Sequence, residues 1–556
     1  MRNRILCSVV LLGLGFLLGA QPQEEDLLLL TDRGYYISGE TINYKAIYRK
    51  PAEGPDIEWS QVLYVELILP NGSSLSQSKV SINESGARGC VHIPDGLSSG
   101  TYYLKAYTRW MRNCGPESYA YTSLRIYDPY NDQVLPVDSL GWEPSAVQTM
   151  LNQPEMHTPD MLECRLTKDS YGIREEVVAD LLWNFPYAPA DLSVSVARSG
   201  LHSGQRYFRK TCPLNLQSRS DILPETQGLS LTGQAVSSAE GRPVPYATIY
   251  ISVLGEDKDF YCNYSDSTGR FYFSFPAYTG ERDLFASAYH AEFPDLELLI
   301  DRDFSQDVLQ LPSYPVQIND SLSDLVTEMS VNAQVSEQYY PLKKVSREAV
   351  VEEELMFYGQ ASSIIKFDDF IRLPNLEEYF VEVVPQVAVR RAGGIRRLVI
   401  LGKHPDLTIY PPLLMIDGVA IFDIDAVLAV SPRLIDRVEI VNAPYIRGNV
   451  TFGGIISIIS KNKDLAYIDL PSSGLLVNYQ MLDPALTDTL QTGILDARMP
   501  DVRNTLYWNP DVDMDQEEDQ RITFRTSDLK GTYEILIRGS DSNGRYLEKR
   551  VPFRVE

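Results

Sequence analysis

The chain has 556 residues, 44% of them hydrophobic and 22% charged, with a formal net charge of −25. That length exceeds one ordinary core and predicts roughly three to five domains, while the negative charge excludes a nucleic-acid role and is repelled by an anionic membrane surface. The 34 Tyr, 34 Pro and 35 Gly favour many short strands and turns, so a mainly β, multidomain chain is expected.

Residues 1–20 read as a signal peptide. Arg2 and Arg4 open it, Ile5 to Leu18 is apolar, and Gly19-Ala20 offers a small-residue cleavage point. Cys7 lies inside the apolar run and is no lipoprotein acceptor. The mature chain then carries Cys90, Cys114, Cys164, Cys212 and Cys262, an odd number without CxxC spacing, which argues against metal or redox motifs. Cys90 and Cys114 are one candidate disulfide; buried free thiols are the alternative.

Residues 21–128 alternate strand and turn. In "TYYLKAYTRW", Tyr102, Leu104, Ala106 and Thr108 take one face and Tyr103, Lys105, Tyr107 and Arg109 the other, which predicts a sandwich strand with one face in the core. "TDRGYYISGETINYKAIY" and "SGTYYLKAYTRWMRN" resemble the second macroglobulin domain of the alpha-2-macroglobulin family. The resemblance implies a fibronectin-like sandwich. It does not carry over protease trapping, because the chain lacks the CGEQ thioester tetrapeptide.

Residues 129–160 read as a linker, and 161–225 as strands of a second macroglobulin-like sandwich. Residues 226–304 contain "RPVPYATIYI" and the turn Asp266-Ser267-Thr268-Gly269, followed by Phe271, Phe273 and Phe275 on one strand face. With Gly233 in the first strand, this stretch resembles the carboxypeptidase regulatory-like domain, which implies a non-catalytic, transthyretin-like sandwich. Residues 305–344 read as a polar connector.

From 345 to 464 the pattern changes to α+β. "SREAVVEEELMFYG" and "FDDFIRLPNLEEYFVEVVPQ" have helical spacing. "RRLVILG", "PPLLMIDGV", "RVEIV" and "FGGIISIISK" read as strands, with a helix begun by Asp423. Three motifs here occur in order: Ile416-Asp417-Gly418-Val419, the strand containing Glu439, and Phe452-Gly453-Gly454. They resemble the plug domain of TonB-dependent outer-membrane transporters, and the resemblance implies that these eight residues belong to a docking module.

Residues 465–499 form a transition, and 500–556 read as a C-terminal immunoglobulin-like sandwich, its completion by a strand from further back in the chain being left open. A transmembrane strand takes about 9–11 residues, and the smallest barrels about 8 strands. The 95 residues after Lys461 (556 − 461) leave nothing for loops, and "DVDMDQEED" puts six acids in nine positions. This stretch reads as a plug without its own barrel.

Candidate chemistry is sparse. "GLSSG" nominates Ser98 as a nucleophile but precedes a strand rather than a helix. His92, His157, His202, His290 and His404 show no metal spacing and read as surface or strand-end residues. Asp511, Asp513 and Asp515 begin like a calcium loop, but Gln516 and Ile522 break it, so a solvated acidic loop is expected, an irregular calcium site at the three aspartates being the alternative. "RRAGGIRR", with Arg390, Arg391, Arg396 and Arg397, reads as a solvent turn, an acidic-partner site being the alternative. No catalytic residue, cofactor, metal or small-molecule substrate is expected.

The module order resembles an exported family of bacteria rich in TonB-dependent transporters. That resemblance implies a non-enzymatic envelope scaffold, periplasmic or outer-membrane associated, whose partner is an outer-membrane barrel protein. Two alternatives stay open. One is a secreted or surface adhesin or substrate-binding protein, on the loose likeness of "GTYEILIRGSDSNGRYLEKRVPFRV" to type IX sorting domains. The other is a hydrolase in the sandwiches.

Overall fold

The computed structural model describes residues 23–49, 59–131, 133–136, 156–157, 162–183, 189–208, 212–214, 222–255, 258–315, 320–339, 356–392, 395–484, 498–512, 514, 520–541 and 545–556. The fold is mainly β and multidomain, and the described residues form three β-sandwiches and one α/β module. No helix among the described residues is long and apolar enough to cross a membrane.

In the first sandwich, Ser74–Asn83 passes from one sheet to the other. It pairs with Val62–Ile68 along most of its length and with Gly86–His92 at its end. The strand Gly100–Tyr107 departs from the one-face expectation, because every residue in it is buried. Its Lys and Tyr face is covered by the segment 304–314. Tyr103 donates to the Pro312 carbonyl at 2.5 Å, and Ser305 N donates to Tyr107 Oη at 2.8 Å. Lys105 pairs with Glu66 at 2.6 Å, which also accepts from Tyr107 at 2.9 Å. A lysine tolerates such burial only when its charge is paired. Ser98 lies in the turn feeding this strand, its carbonyl accepting from Tyr102 at 2.6 Å.

Two strands from beyond residue 160 complete the first sandwich. Tyr207–Phe208 pairs with Ala120–Tyr127, and Cys212–Leu214 with Gln23–Thr31. Cys114 is disulfide-bonded whereas Cys90 is a free thiol, so the Cys90–Cys114 pairing does not form. Cys90 sits in Gly86–His92 opposite Asn43, within a continuous antiparallel ladder.

The separate sandwiches expected at 161–225 and 500–556 are one body. One sheet joins Leu162–Leu166, Glu176–Trp183 and Gln520–Arg525. The other holds Pro189–Arg198 between Gly531–Asp541 and Thr505–Val512. Val177, Leu181, Val194 and Val196 from the early segment meet Ile522, Phe524, Ile535 and Phe553 from the late one in a single core. The early strands have too few neighbours to cover their own apolar face, and the late strands cover it.

The central sandwich, residues 230–300, packs Ser230–Ser237 between Arg270–Ser274 and Leu296–Ile300, over a sheet whose last strand is Leu475–Gln480. That strand falls in the expected transition segment. The turn at 266–269 forms as expected, with the Asp266 carboxylate accepting from Thr268 N and Arg270 N at 2.7 and 2.9 Å. Phe271, Phe273 and Phe275 are buried. They belong to one apolar core shared with the first sandwich. Gly233 has no room for a side chain, since a Cβ would meet the Leu299 carbonyl oxygen at 2.2 Å.

The connector expected at 305–344 contains a 20-residue helix, Asp320–Tyr339. Leu325, Val326, Met329 and Ala333 pack on Ile37 and Tyr127 of the first sandwich and on Ala197 and Leu201 of the composite one. The three- and four-residue spacing of those side chains carries the helix. The helix expected around "SREAVVEEELMFYG" lies largely outside the described residues.

Asp511 is not in a solvated loop. It is the penultimate residue of the strand Thr505–Val512 and pairs with Lys45 at 2.7 Å and with Arg88. Asp513 and Asp515 lie outside the described residues.

Candidate functional site

The α/β module has a five-stranded sheet, in the order Ser363–Lys366, Ile435–Val441, Ile455–Ser460, Leu413–Ile416 and Val419–Ala420. The helices Leu376–Glu382 and Ile424–Ala429 pack on one face. Asp423 caps the second by accepting from Ala426 N at 2.9 Å, as its position before the apolar run predicts. Of the longer helix expected over "FDDFIRLPNLEEYFVEVVPQ", a 3₁₀ turn at Phe367–Asp369 and Leu376–Glu382 form. Pro374 separates them and cannot donate an amide to a helix ladder.

The eight motif residues are all in this module, and they build it rather than cover it. Asp417 and Gly418 are both left-handed, with φ of 49° and 92°, and form the turn between the two short strands. The Asp417 carboxylate accepts from Ser460 N at 2.8 Å, Ser460 Oγ at 2.6 Å and Leu465 N at 2.8 Å. It therefore ties the turn to the end of the neighbouring strand. Ile416 and Val419 lie in the core under the helices. Glu439 is buried, accepting from Tyr358 at 2.8 Å and Arg437 at 2.7 Å. A Cβ on Gly453 would meet the Tyr410 carbonyl oxygen at 2.2 Å, and one on Gly454 the Val441 oxygen at 2.4 Å. Asp417 is half-buried and the other seven are buried, so contact with a second chain has to use other side chains of the module.

Phe452 shows what the motif's second face does. It packs with Leu413, Met415 and Ile455 against Tyr250, Phe260 and Cys262 of the central sandwich. Arg447 donates to the Phe260 carbonyl at 2.6 Å and to Asp259 at 2.8 Å. Gly448 sits so close that a Cβ there would meet the Cys262 carbonyl oxygen at 2.0 Å. Burial pushes the Cys262 thiol up, away from the reactive thiolate. One face of the sheet is thus sealed by the chain's own sandwich.

The arginines of "RRAGGIRR" flank the tip of the hairpin Val387–Ala392 and Ile395–Ile400. Arg391 and Arg396 both pair with Glu377, at 2.5 and 2.8 Å, and Arg396 also reaches Asp425 at 2.6 Å. Half of that basic stretch therefore serves the module's own ion pairs.

A second constellation was not legible in the sequence. Ser195 Oγ lies 3.0 Å from His202 Nε2, and His202 Nδ1 lies 3.0 Å from a Glu534 oxygen. His202 is therefore neither a surface nor a strand-end histidine; it is 1% exposed. The order serine, histidine, carboxylate is that of a hydrolase, but Ser195 donates to the Asp32 carbonyl at 2.6 Å, the shorter of its two contacts. Both side chains are enclosed at the joint between the first and composite sandwiches. Gly34 N donates to the Leu201 carbonyl at 2.6 Å, and Thr505 Oγ1 to Asp32 at 2.9 Å. Arg538, also buried, donates to the Thr31 carbonyl and to Gln205 at 3.0 Å. The Thr31-Asp32-Arg33-Gly34 stretch of the first sandwich supplies these contacts. Among the described residues no group of three or more His, Cys, Asp or Glu side chains is placed to hold a metal ion.

Fold and site together define a mainly β, multidomain protein whose modules are locked together by buried polar joints. No protein-family model matches the chain, and no curated protein matches it. Among solved structures it is similar to Salmonella alpha-2-macroglobulin reacted with methylamine, at 9% identity and a TM-score of 0.24, covering 97% of this chain and 40% of that one. Escherichia coli alpha-2-macroglobulin activated by trypsin gives 9% and 0.23, over 95% and 41%. The Yersinia pseudotuberculosis adhesin InvE gives 11% and 0.12, over 51% and 60%. The chain therefore spans about two fifths of the length of the macroglobulins it matches.

Proposed function

We propose that this protein is an exported, non-enzymatic envelope scaffold whose α/β module is a plug-like domain that docks onto an outer-membrane barrel protein. The central sandwich is read as its regulatory-like spacer. The observation that carries this reading is the one-sided burial of the module. Its Phe452 face is sealed by the central sandwich, while apolar side chains elsewhere on it stand in solvent, Ile371 at 88%, Val381 at 62% and Tyr467 at 75% exposed. Exposed apolar side chains on a body fixed to a rigid string of sandwiches are what a docking module needs. The enclosed state of Ser195 and His202 supports a structural role for them.

The test is a mild-detergent pull-down of the tagged full-length protein from its native envelope. The expected result is co-purification of a barrel protein, reduced by I371D. Recovery without any barrel protein overturns the docking reading.

A further inference from the structure

A cavity of about 500 Å³ opens at one end of the module's sheet, between the turn at 367–369, the loop 372–374 and the segment 431–433. That volume lies in the range of small-ligand sites, about 300–1,000 Å³. Part of its wall is aromatic: Phe367 and Tyr379 stack with centroids 4.1 Å apart and planes 2° from parallel, and both rings are buried. Its lining includes three cations, Arg372, Arg433 and Lys461, against one carboxylate, Asp368. This is a local reversal of sign in a chain of net charge −25.

The cations are not equivalent. Lys461 is committed to Asp368, with Nζ at 2.8 and 3.0 Å from its two oxygens. That hydrogen bond and the Lys461 charge, with a smaller contribution from the charge of Arg372, hold the exposed Asp368 carboxyl below its ordinary range. Arg372 and Arg433 line the cavity without a salt bridge or side-chain hydrogen bond to a described residue. Two such guanidiniums beside an apolar wall fit a planar carboxylate attached to an apolar group. Phe370 and Ile371, 45% and 88% exposed, precede Arg372 and extend the apolar surface. The cavity is bounded by three chain segments. A chain end presents a carboxylate and an apolar side chain on the same carbon, as two arginines beside Leu373 and Pro374 require, and an acidic side chain does not.

We propose that this cavity binds the carboxyl-terminal end of a partner polypeptide, its terminal carboxylate on Arg372 and Arg433 and its last, apolar side chain against Leu373 and Pro374. The proposal rests on reading the module as the partner-binding part of the chain, and it names the chemistry recognised there.

The experiment is fluorescence anisotropy on the purified full-length protein with a labelled hexapeptide ending in leucine. It is run as the free acid, as the C-terminal amide, and as an amide carrying a penultimate glutamate, with N-acetyl-leucine as competitor. The free acid is expected to bind, and either amide or the R372Q/R433Q double variant to weaken binding by about tenfold or more. Both arginines are exposed, so the variant should keep the wild-type melting temperature, which is measured alongside. Equal binding of acid and amides, or no binding of any peptide, overturns the proposal. So does N-acetyl-leucine binding as tightly as the peptide, which would mark a site for small organic acids. If the peptide fails while a barrel protein still co-purifies, the cavity assignment falls and the docking reading stands. If the pull-down fails while the peptide binds, the reverse holds.

Discussion

Ser195 stands 3.0 Å from His202 but donates its proton to the carbonyl of Asp32 at 2.6 Å. A serine nucleophile needs its proton directed at the base and open space for a carbonyl about 3 Å away; here the proton is committed to the backbone and both side chains are enclosed. The geometry reads as a fastening between two sandwiches. A fluorophosphonate probe should leave Ser195 unlabelled in the native protein, as judged by peptide mapping. Labelling of Ser195 without denaturant would restore the hydrolase reading.

The same joint should make stability depend on pH. Burial is the main influence on His202 and pushes its pKa below the ordinary value, against the hydrogen bond to Glu534 that raises it. Lowering the folded pKa means that the unfolded chain takes up the proton first as pH falls. Stability is therefore intact above the ordinary histidine range and declines as pH drops through it towards the folded pKa. Glu534 is shifted down from the carboxylate range, so its contribution is lost only at more acidic pH. Glu25 and Glu225 carry the opposite sign, since burial raises both. The informative quantity is thus the difference between wild type and H202Q. Between about pH 7.5 and 5.5 the wild type should lose more melting temperature than the variant. Parallel curves would show that His202 does not supply the slope.

What could be read in advance was local. The spacing of Asp417-Gly418, the cap at Asp423 and the strands around Val438 and Ile456 depend on neighbours within a few residues, and they form where their patterns place them. What could not be read depends on distant chain. Asp180 faces Arg521 across a sheet, and Glu534 reaches His202 from 332 residues away. Neither residue carries a local pattern that names its partner. The strand Gly100–Tyr107 alternates as a one-sided strand does, yet both its faces are buried because the segment 304–314 lies over the polar one. The eight motif residues all fall in one α/β module. What that module is used for was not legible, because a buried glycine or phenylalanine looks the same in sequence whether its cover comes from the same chain or another.

The seal between module and central sandwich gives a direct chemical readout. Cys262 is 2% exposed there, and Gly448 approaches its carbonyl too closely to accept a Cβ. G448A should therefore push the two surfaces apart, and F452A should leave a cavity costing about 3–5 kcal/mol. In both variants Cys262 should become alkylated by iodoacetamide under native conditions, while the wild-type thiol stays unmodified. The free thiols Cys90 and Cys164 are half-buried in wild type, so the modified residue has to be assigned by peptide mapping. If Cys262 stays protected in both variants, the seal does not depend on these contacts.

Lys105 and Glu66 test whether the covered strand is held by charge or by packing. They are almost fully enclosed, at 4% and 2% side-chain exposure, and stand 2.6 Å apart. Glu66 also accepts from Tyr107 at 2.9 Å and Gln77 at 3.1 Å. Removing one charge strands the other in a low-dielectric site, which costs about 3–5 kcal/mol. Replacing both with groups of similar shape removes the orphan. K105M and E66Q should each destabilise strongly in urea unfolding. The double variant K105M/E66Q should recover much of the loss, because its amide can still accept from Tyr107 and leaves no unpaired charge. Additive losses in the double variant would mean that the two side chains act on stability independently, through packing alone.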